Sequence, residues 1–425
     1  MRKMRFNLFY TYGSTAFLMA INVILMLIIN KYSSVEIYGQ LTLMLATVGM
    51  LINFISFRTG EAVTRFLIEN DNECKSSAIV AFGFLFDLLI GICILALIFI
   101  FQSTISSLFF NDIDVSLPTK YIIYTLLFNL LGGSVIGRYT SDKNFKKIAI
   151  FRMIDPLIKI SSVVILVRLG SLNILNITLI YFYSSMAKLL IMWGVYFIDG
   201  YSLSFNYIDS LYIKRYITYT AKTFASTTLK SFNENADVII LGAFMGSYTV
   251  GVYQSLKVVT QPIRFIINPL SSVRFPYYVS IIFSGGLKKV TFEIINISII
   301  LSIFSSILFI IIYMYKQQVL SFISVDLNVT SKYILLYHYI LTIGLCFIDW
   351  WFRLISLSTD PKYSIYSNLI SASLIWSFVL FCIKFYGLDG FLISMIFVLM
   401  IRGIFHYYIL HSLNNNRVKY EADER

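Results

Sequence analysis

Lys257, Gln261, Arg264 and Asn268 stand at i, i+4, i+7 and i+11 in an otherwise apolar stretch of this chain. On a helix that spacing lines four polar side chains, two of them cations, along one stripe. A charge at the centre of a bilayer costs about 2.5–3.5 kcal/mol on insertion scales. The stripe is therefore expected to face a wet cavity or an anionic partner, and the chemistry it suggests is recognition of a negatively charged cargo. Pro262 and Pro269 lie in the same stretch. Proline withholds a backbone donor and kinks a membrane helix, which is tolerated beside a cavity or a packed neighbour.

Other polar positions extend the pattern. Thr223, Thr227, Lys230, Glu234 and Asp237 share a second face. Lys230 and Glu234 are one turn apart and can neutralise each other, so a structural network and a role in substrate binding or ion coupling both remain open. Arg58, Glu61 and Arg65 share one side near the end of an apolar run, where interfacial cations also belong. Lys159 follows Asp155 by one turn, behind Pro156, so a local ion pair and a lumen role explain it equally well. Lys188 lies on a face with Tyr181 and Ser184 and has no acid in its own stretch, which points it toward a lumen. Asp87 is the lone acid of its apolar stretch, a suitable place for a protonatable coupling group. Nothing suggests catalysis. There is no Walker sequence, the three histidines have no ligand-like partners, and Cys74, Cys93, Cys346 and Cys382 show no metal-binding spacing. No metal or cofactor is expected.

The elements that must carry these residues are membrane helices. Of 425 residues, 58% are hydrophobic and 13% charged, against about 25% charged in soluble domains. Twelve largely apolar runs of about 20 residues follow one another, each able to cross a core about 30 Å thick. They cover approximately 8–30, 40–60, 78–101, 119–140, 151–169, 174–197, 219–245, 251–274, 290–314, 333–352, 363–385 and 389–411. Met1-Arg2-Lys3-Met4-Arg5 precedes the first run, and no small-residue cleavage site follows it, so that run reads as a retained span. With the N-terminus in the cytoplasm, the outer helix ends hold only Lys31, Lys120, Arg168, Lys316, Lys332 and Lys384. Most of the 34 basic residues fall on the inner side, as the positive-inside rule requires, and an even span count returns the C-terminus there. The net charge of +12 expresses that rule and calls for no nucleic acid.

A shift of 215 residues aligns Val23-Ile24 with Val238-Ile239, Val35 with Val250, Tyr38 with Tyr253 and Leu41 with Leu256. A shift of six spans preserves topology, so the two halves are expected to be parallel repeats, residues 1–205 and 206–425, about an axis along the membrane normal.

The basic start, the two six-span halves and the short turns ending Tyr38-Gly39 and Tyr253-Gln254 resemble the polysaccharide flippases of the multidrug/oligosaccharidyl-lipid/polysaccharide exporter (MOP) superfamily. The segments Phe57-Arg58-Thr59-Gly60-Glu61-Ala62-Val63-Thr64-Arg65-Phe66 and Phe145-Lys146-Lys147-Ile148-Ala149-Ile150 are similar to what the O-antigen branch carries at these places. The resemblance covers essentially the whole chain. It implies an all-α polytopic membrane protein, about twelve transmembrane helices in two parallel six-helix bundles around a central cavity. It further implies a bacterial inner-membrane flippase that moves undecaprenyl-diphosphate-linked oligosaccharide from the cytoplasmic to the periplasmic leaflet by alternating access. Its partners would be that lipid-linked sugar, membrane lipids, and the polymerase and chain-length regulator of the polysaccharide. A drug- or cation-coupled antiporter of the same superfamily would be expected to line its lumen with acids, against which the cations within the spans argue. A polymerase would need a large external loop that the sequence lacks, and a non-transporting scaffold of the assembly is the other rival.

Overall fold

The computed structural model describes residues 2–55, 59–69, 73–100, 116–204, 212–221, 224, 235–258, 287–315, 317–318, 340 and 361–423. Every regular element among the described residues is helical, as apolar runs in hydrocarbon require, because a helix satisfies its backbone groups within itself. The helices are α1 (Arg2–Tyr32), α2 (Val35–Ile55), α3 (Thr59–Ile68), α4 (Glu73–Ile100), α5 (Ser116–Leu131), α6 (Gly133–Ser141), α7 (Phe145–Arg168), α8 (Ile174–Ile198), α9 (212–221), α10 (Ala236–Val258), α11 (Leu287–Met314), α12 (Pro361–Leu374) and α13 (Leu380–Asp423). Seven described helical segments are long and apolar enough to cross a membrane. The tenth expected span, 333–352, lies almost wholly outside the described residues, as does most of the eighth.

The chain divides into two compact units, Met1–Gly251 and Val252–Arg425. In the first, α1 packs along α7, α5 along α8, and α3 across α6, while α7 and α8 lie side by side. Asn144 caps α7 and Asn173 caps α8, the latter accepting the Asn176 amide at 2.8 Å. One buried cluster ties the unit together near the basic ends of its helices: Val63 and Phe66 of α3, Tyr139 of α6, Phe151 of α7, Tyr196 of α8 and Tyr216 of α9. Such rings bury large apolar area and prefer the edge-to-face contacts seen here, for example Phe82 on Tyr216 at 5.1 Å.

Close backbone approach replaces side-chain packing at two crossings. A Cβ on Gly39 of α2 would sit 1.8 Å from the Ser247 carbonyl oxygen of α10. One on Gly137 of α6 would sit 2.7 Å from the Gly60 carbonyl oxygen of α3, and Thr64 Oγ1 bonds the Gly137 carbonyl across that crossing at 3.0 Å. Only glycine permits these contacts.

Helix breaks fall where the sequence places turns. Gly246, immediately after the seventh expected span, has a left-handed φ of +80° within α10. Gly387 (φ 58°, ψ −141°) separates the two limbs of α13, between the eleventh and twelfth expected spans. A five-residue π-helical turn, Ile375–Val379, joins α12 to α13. In the second unit α11 leaves Ile299, Ile300, Ile303, Phe304, Ile307 and Ile310 exposed. So continuous an apolar surface suits lipid rather than water.

Candidate functional site

Halfway along α7 the helix carries an acid and a base, Asp155 and Lys159, one turn apart. Asp155 is the hub: its Oδ2 pairs with Lys159 Nζ at 2.6 Å, and its Oδ1 accepts the Ser184 hydroxyl of α8 at 2.7 Å. The i, i+4 spacing makes the first contact and the side-by-side run of α7 and α8 makes the second. The Lys159 ammonium sits 4.2 Å from the centre of the Tyr181 ring, a cation–π contact. One turn beyond Ser184, Lys188 Nζ donates to Asn129 Oδ1 of α5 at 3.2 Å, and Asn129 is anchored on the Thr125 carbonyl at 2.9 Å. Pro156 withholds the amide that would close on the Arg152 carbonyl, loosening α7 at this level. Three helices thus gather Lys159 and Lys188 around a single acid. The ion pair expected of Lys159 and Asp155 forms, and Lys188 lies within electrostatic reach of the same acid.

Asp87 of α4 is 3% exposed. Thr59, the first residue of α3, donates to its Oδ1 at 2.5 Å. Among the described residues Oδ2 has no hydrogen-bond partner, and it faces Gly133 of α6, where a Cβ would lie 3.3 Å away. A buried polar atom left without a partner is costly. Arg58 directly precedes Thr59 and lies outside the described residues.

Elsewhere the expected site residues are dispersed or undescribed. Lys257 is half-buried with Nζ 5.4 Å from the centre of the Tyr253 ring. Asp237 is buried near the start of α10 and its Oδ1 accepts the Val238 amide at 2.9 Å. Gln261, Arg264, Asn268, Lys230 and Glu234 fall outside the described residues.

At their basic ends α6, α7 and α8 meet in a second polar group of different character. Lys147 and Tyr139 both donate to Asp199, and Arg138 Nε approaches Asp142 Oδ2 at 3.1 Å. Tyr201 donates to Asp142 at 2.6 Å and receives the Arg138 guanidinium over its ring at 4.7 Å. The Lys147 hydrogen bond, then that of Tyr139, holds the Asp199 carboxyl below the usual carboxylate range.

A cleft of about 870 Å³ opens in the first unit, with α3, α6, α7 and α9 as its walls. Thr64, Arg65, Thr140, Arg152 and Tyr219 line it, together with Gly60 and Gly133, where α3 and α6 approach closely. The sequence places Arg152 among the interfacial cations and gives no reason to single out Asn129. The one signal for both is polarity on the inward face of an apolar run.

A family model described as "Polysaccharide biosynthesis protein" matches residues 5–282. No curated protein matches the chain. Several solved structures share its fold. An inward-facing multidrug resistance MATE family transporter of the MOP superfamily aligns with a TM-score of 0.72 at 10% identity, over 94% of this chain and 96% of that one. A MOP superfamily transporter from Pyrococcus furiosus, described as having a binding pocket of reverse polarity, aligns at 0.66 and 10% identity over 95% and 94%. A point mutant of the Vibrio cholerae MATE transporter VcmN aligns at 0.62 and 11% identity over 97% and 96%.

Proposed function

This chain belongs to the polysaccharide biosynthesis protein family and has the fold of MOP-superfamily transporters, and from that premise we propose that it is a flippase of undecaprenyl-diphosphate-linked oligosaccharide. The substrate is an O-antigen or related surface-polysaccharide unit. It passes from the cytoplasmic to the periplasmic leaflet of the bacterial inner membrane by alternating access between two helical bundles. The lipid tail stays in the bilayer while the sugar head crosses an aqueous, cationic lumen. Both termini lie in the cytoplasm, and the polymerase and chain-length regulator act on the product.

One observation carries this reading: the cluster on α5, α7 and α8 holds Lys159 and Lys188 against the single acid Asp155. Uncompensated cations inside a membrane helix pair are costly unless an anion visits them. A diphosphate is such an anion, and two lysines on flexible stems can follow it without clamping it. By their spacing in the sequence, Lys257, Gln261, Arg264 and Asn268 are further candidates for substrate contact, with Lys230 and Arg58. Asp87, Glu234 and Asp237 are the groups available for ion coupling. A cation-coupled antiporter of the same superfamily is the second reading, favoured by the buried acids Asp87 and Asp237.

The test is reconstitution of the purified chain in liposomes with a fluorescent polyprenyl-diphosphate oligosaccharide. The expected result is translocation in wild type and its loss when Lys257 and Arg264 are both replaced by Ala, with the protein still inserted. Movement of cationic drugs with no movement of the lipid-linked sugar would replace the flippase by the antiporter.

A further inference from the structure

The cleft of the first unit holds charge of uneven standing. Arg65 pairs with Glu69 at 3.0 Å and lies 4.7 Å over the Tyr219 ring, and Arg215 of α9 reaches the same Glu69 at 3.2 Å. Lys159 is occupied by Asp155. Arg152 of α7, which lines the same cleft, makes no ion pair with any described residue and is exposed. The volume of about 870 Å³ lies in the range of small-molecule sites, roughly 300–1,000 Å³. It takes a head group rather than a polypeptide.

The position of Arg152 on its helix connects the cleft to the deeper cluster. Arg152 and Lys159 are seven residues apart, two turns and about 10 Å along one face of α7. Lys188 lies within electrostatic reach of both. An anion held at Arg152 would therefore lie within the field of both lysines, and Pro156 interrupts the helix between Arg152 and Lys159.

We infer that this cleft is the loading site for the sugar-diphosphate end of the lipid-linked substrate, with Arg152 receiving the diphosphate; the inference rests on the flippase reading above. The planar guanidinium offers paired donors to phosphate oxygens. Glu61, on the wall of the cleft, can accept sugar hydroxyls, and the Tyr219 ring supplies a face for the sugar beside Arg65. The mixed wall of acids, bases and a ring separates this site from a simple basic patch. It favours a phosphorylated sugar over a bare anion.

The experiment uses the full chain in lipid nanodiscs and inorganic diphosphate as the probe, titrated calorimetrically at low salt. Arg152→Gln is expected to weaken binding about tenfold or more, and Arg152→Lys to recover part of the loss. A parallel arm measures translocation of the polyprenyl-diphosphate oligosaccharide in liposomes, where Arg152→Gln is expected to slow transport by a similar factor. Unchanged diphosphate binding in Arg152→Gln, with wild type still translocating the lipid, overturns the loading site and leaves the flippase standing. Arg152-dependent diphosphate binding without translocation by wild type assigns the cleft to a free phosphorylated compound and overturns the lipid-linked ligand. Failure of wild type both to bind and to translocate removes both readings. Arg152 is exposed, so loss of fold is not expected, and the lysine variant provides a second check on that point.

Discussion

The same two helices, α7 and α8, build one polar group at mid-height and another at their basic ends, and the two are balanced differently. At the ends, Arg138 and Lys147 meet Asp142 and Asp199, with tyrosine hydroxyls completing the set. Each cation has its acid. At mid-height, Lys159 and Lys188 share the surroundings of Asp155, and an amide, Asn129, stands where a second acid would match Lys188. The balanced group fixes where three helices meet. The unbalanced one sets two lysines beside a single acid. Residue type alone would not have separated these roles, because lysine and aspartate occur in both.

That contrast can be broken outright by replacing Lys159 and Lys188 together with Ala. Hydrogen bonds to charged groups are worth about 1.5–3 kcal/mol, so transport should fall on the order of a hundredfold. Loss of Lys159 strips Asp155 of its partner and should lower the melting temperature as well. The deciding variant is therefore Lys188→Ala alone: slowed transport with little change in melting temperature supports the contrast, and a proportional loss of both would return the cluster to a structural role. A gentler change sharpens the contrast instead. Asn129→Asp puts the missing acid 3.2 Å from the Lys188 ammonium. Stability measured by thermal unfolding should rise by about 1 kcal/mol, a few degrees, while flipping slows about tenfold. A faster transporter would contradict the account.

The smallest effect belongs to the balanced group. Asp199→Asn removes a partly solvated pair, worth about 1 kcal/mol or less, and should leave transport unchanged. Its pH dependence has a definite sign. The folded carboxyl titrates below its unfolded value near 3.9, so its contribution is complete above that value and is lost as pH falls through the lower, folded one. Wild type and Asp199→Asn should therefore differ in melting temperature at neutral pH and converge in strong acid. A difference that grows on acidification would refute the assignment.

Much of the fold was legible in the chain. The helix break at Gly387 falls between two runs that hydropathy alone separates, and Gly246 falls at the end of another. The pairing of Lys159 with Asp155 followed from an i, i+4 spacing. Ser184 and Asn129 were not legible as partners, because their contacts cross from α8 to α7 and from α5 to α8, and helix periodicity says nothing about which faces will meet. Arg152 was hidden for a different reason. A cation near the membrane face has an ordinary explanation, and the cleft that it lines is made by the fold rather than by the local sequence.

The contact of α3 with α6 through Gly60, Gly133 and Gly137 has a mechanical consequence. Where main chain rests on main chain there are no side chains to swing aside, and close-packed atoms scarcely compress. The two segments must tilt as a single stiff lever. Anything wedged above the crossing would transmit its push directly to Thr59 and the Asp87 carboxyl beneath it.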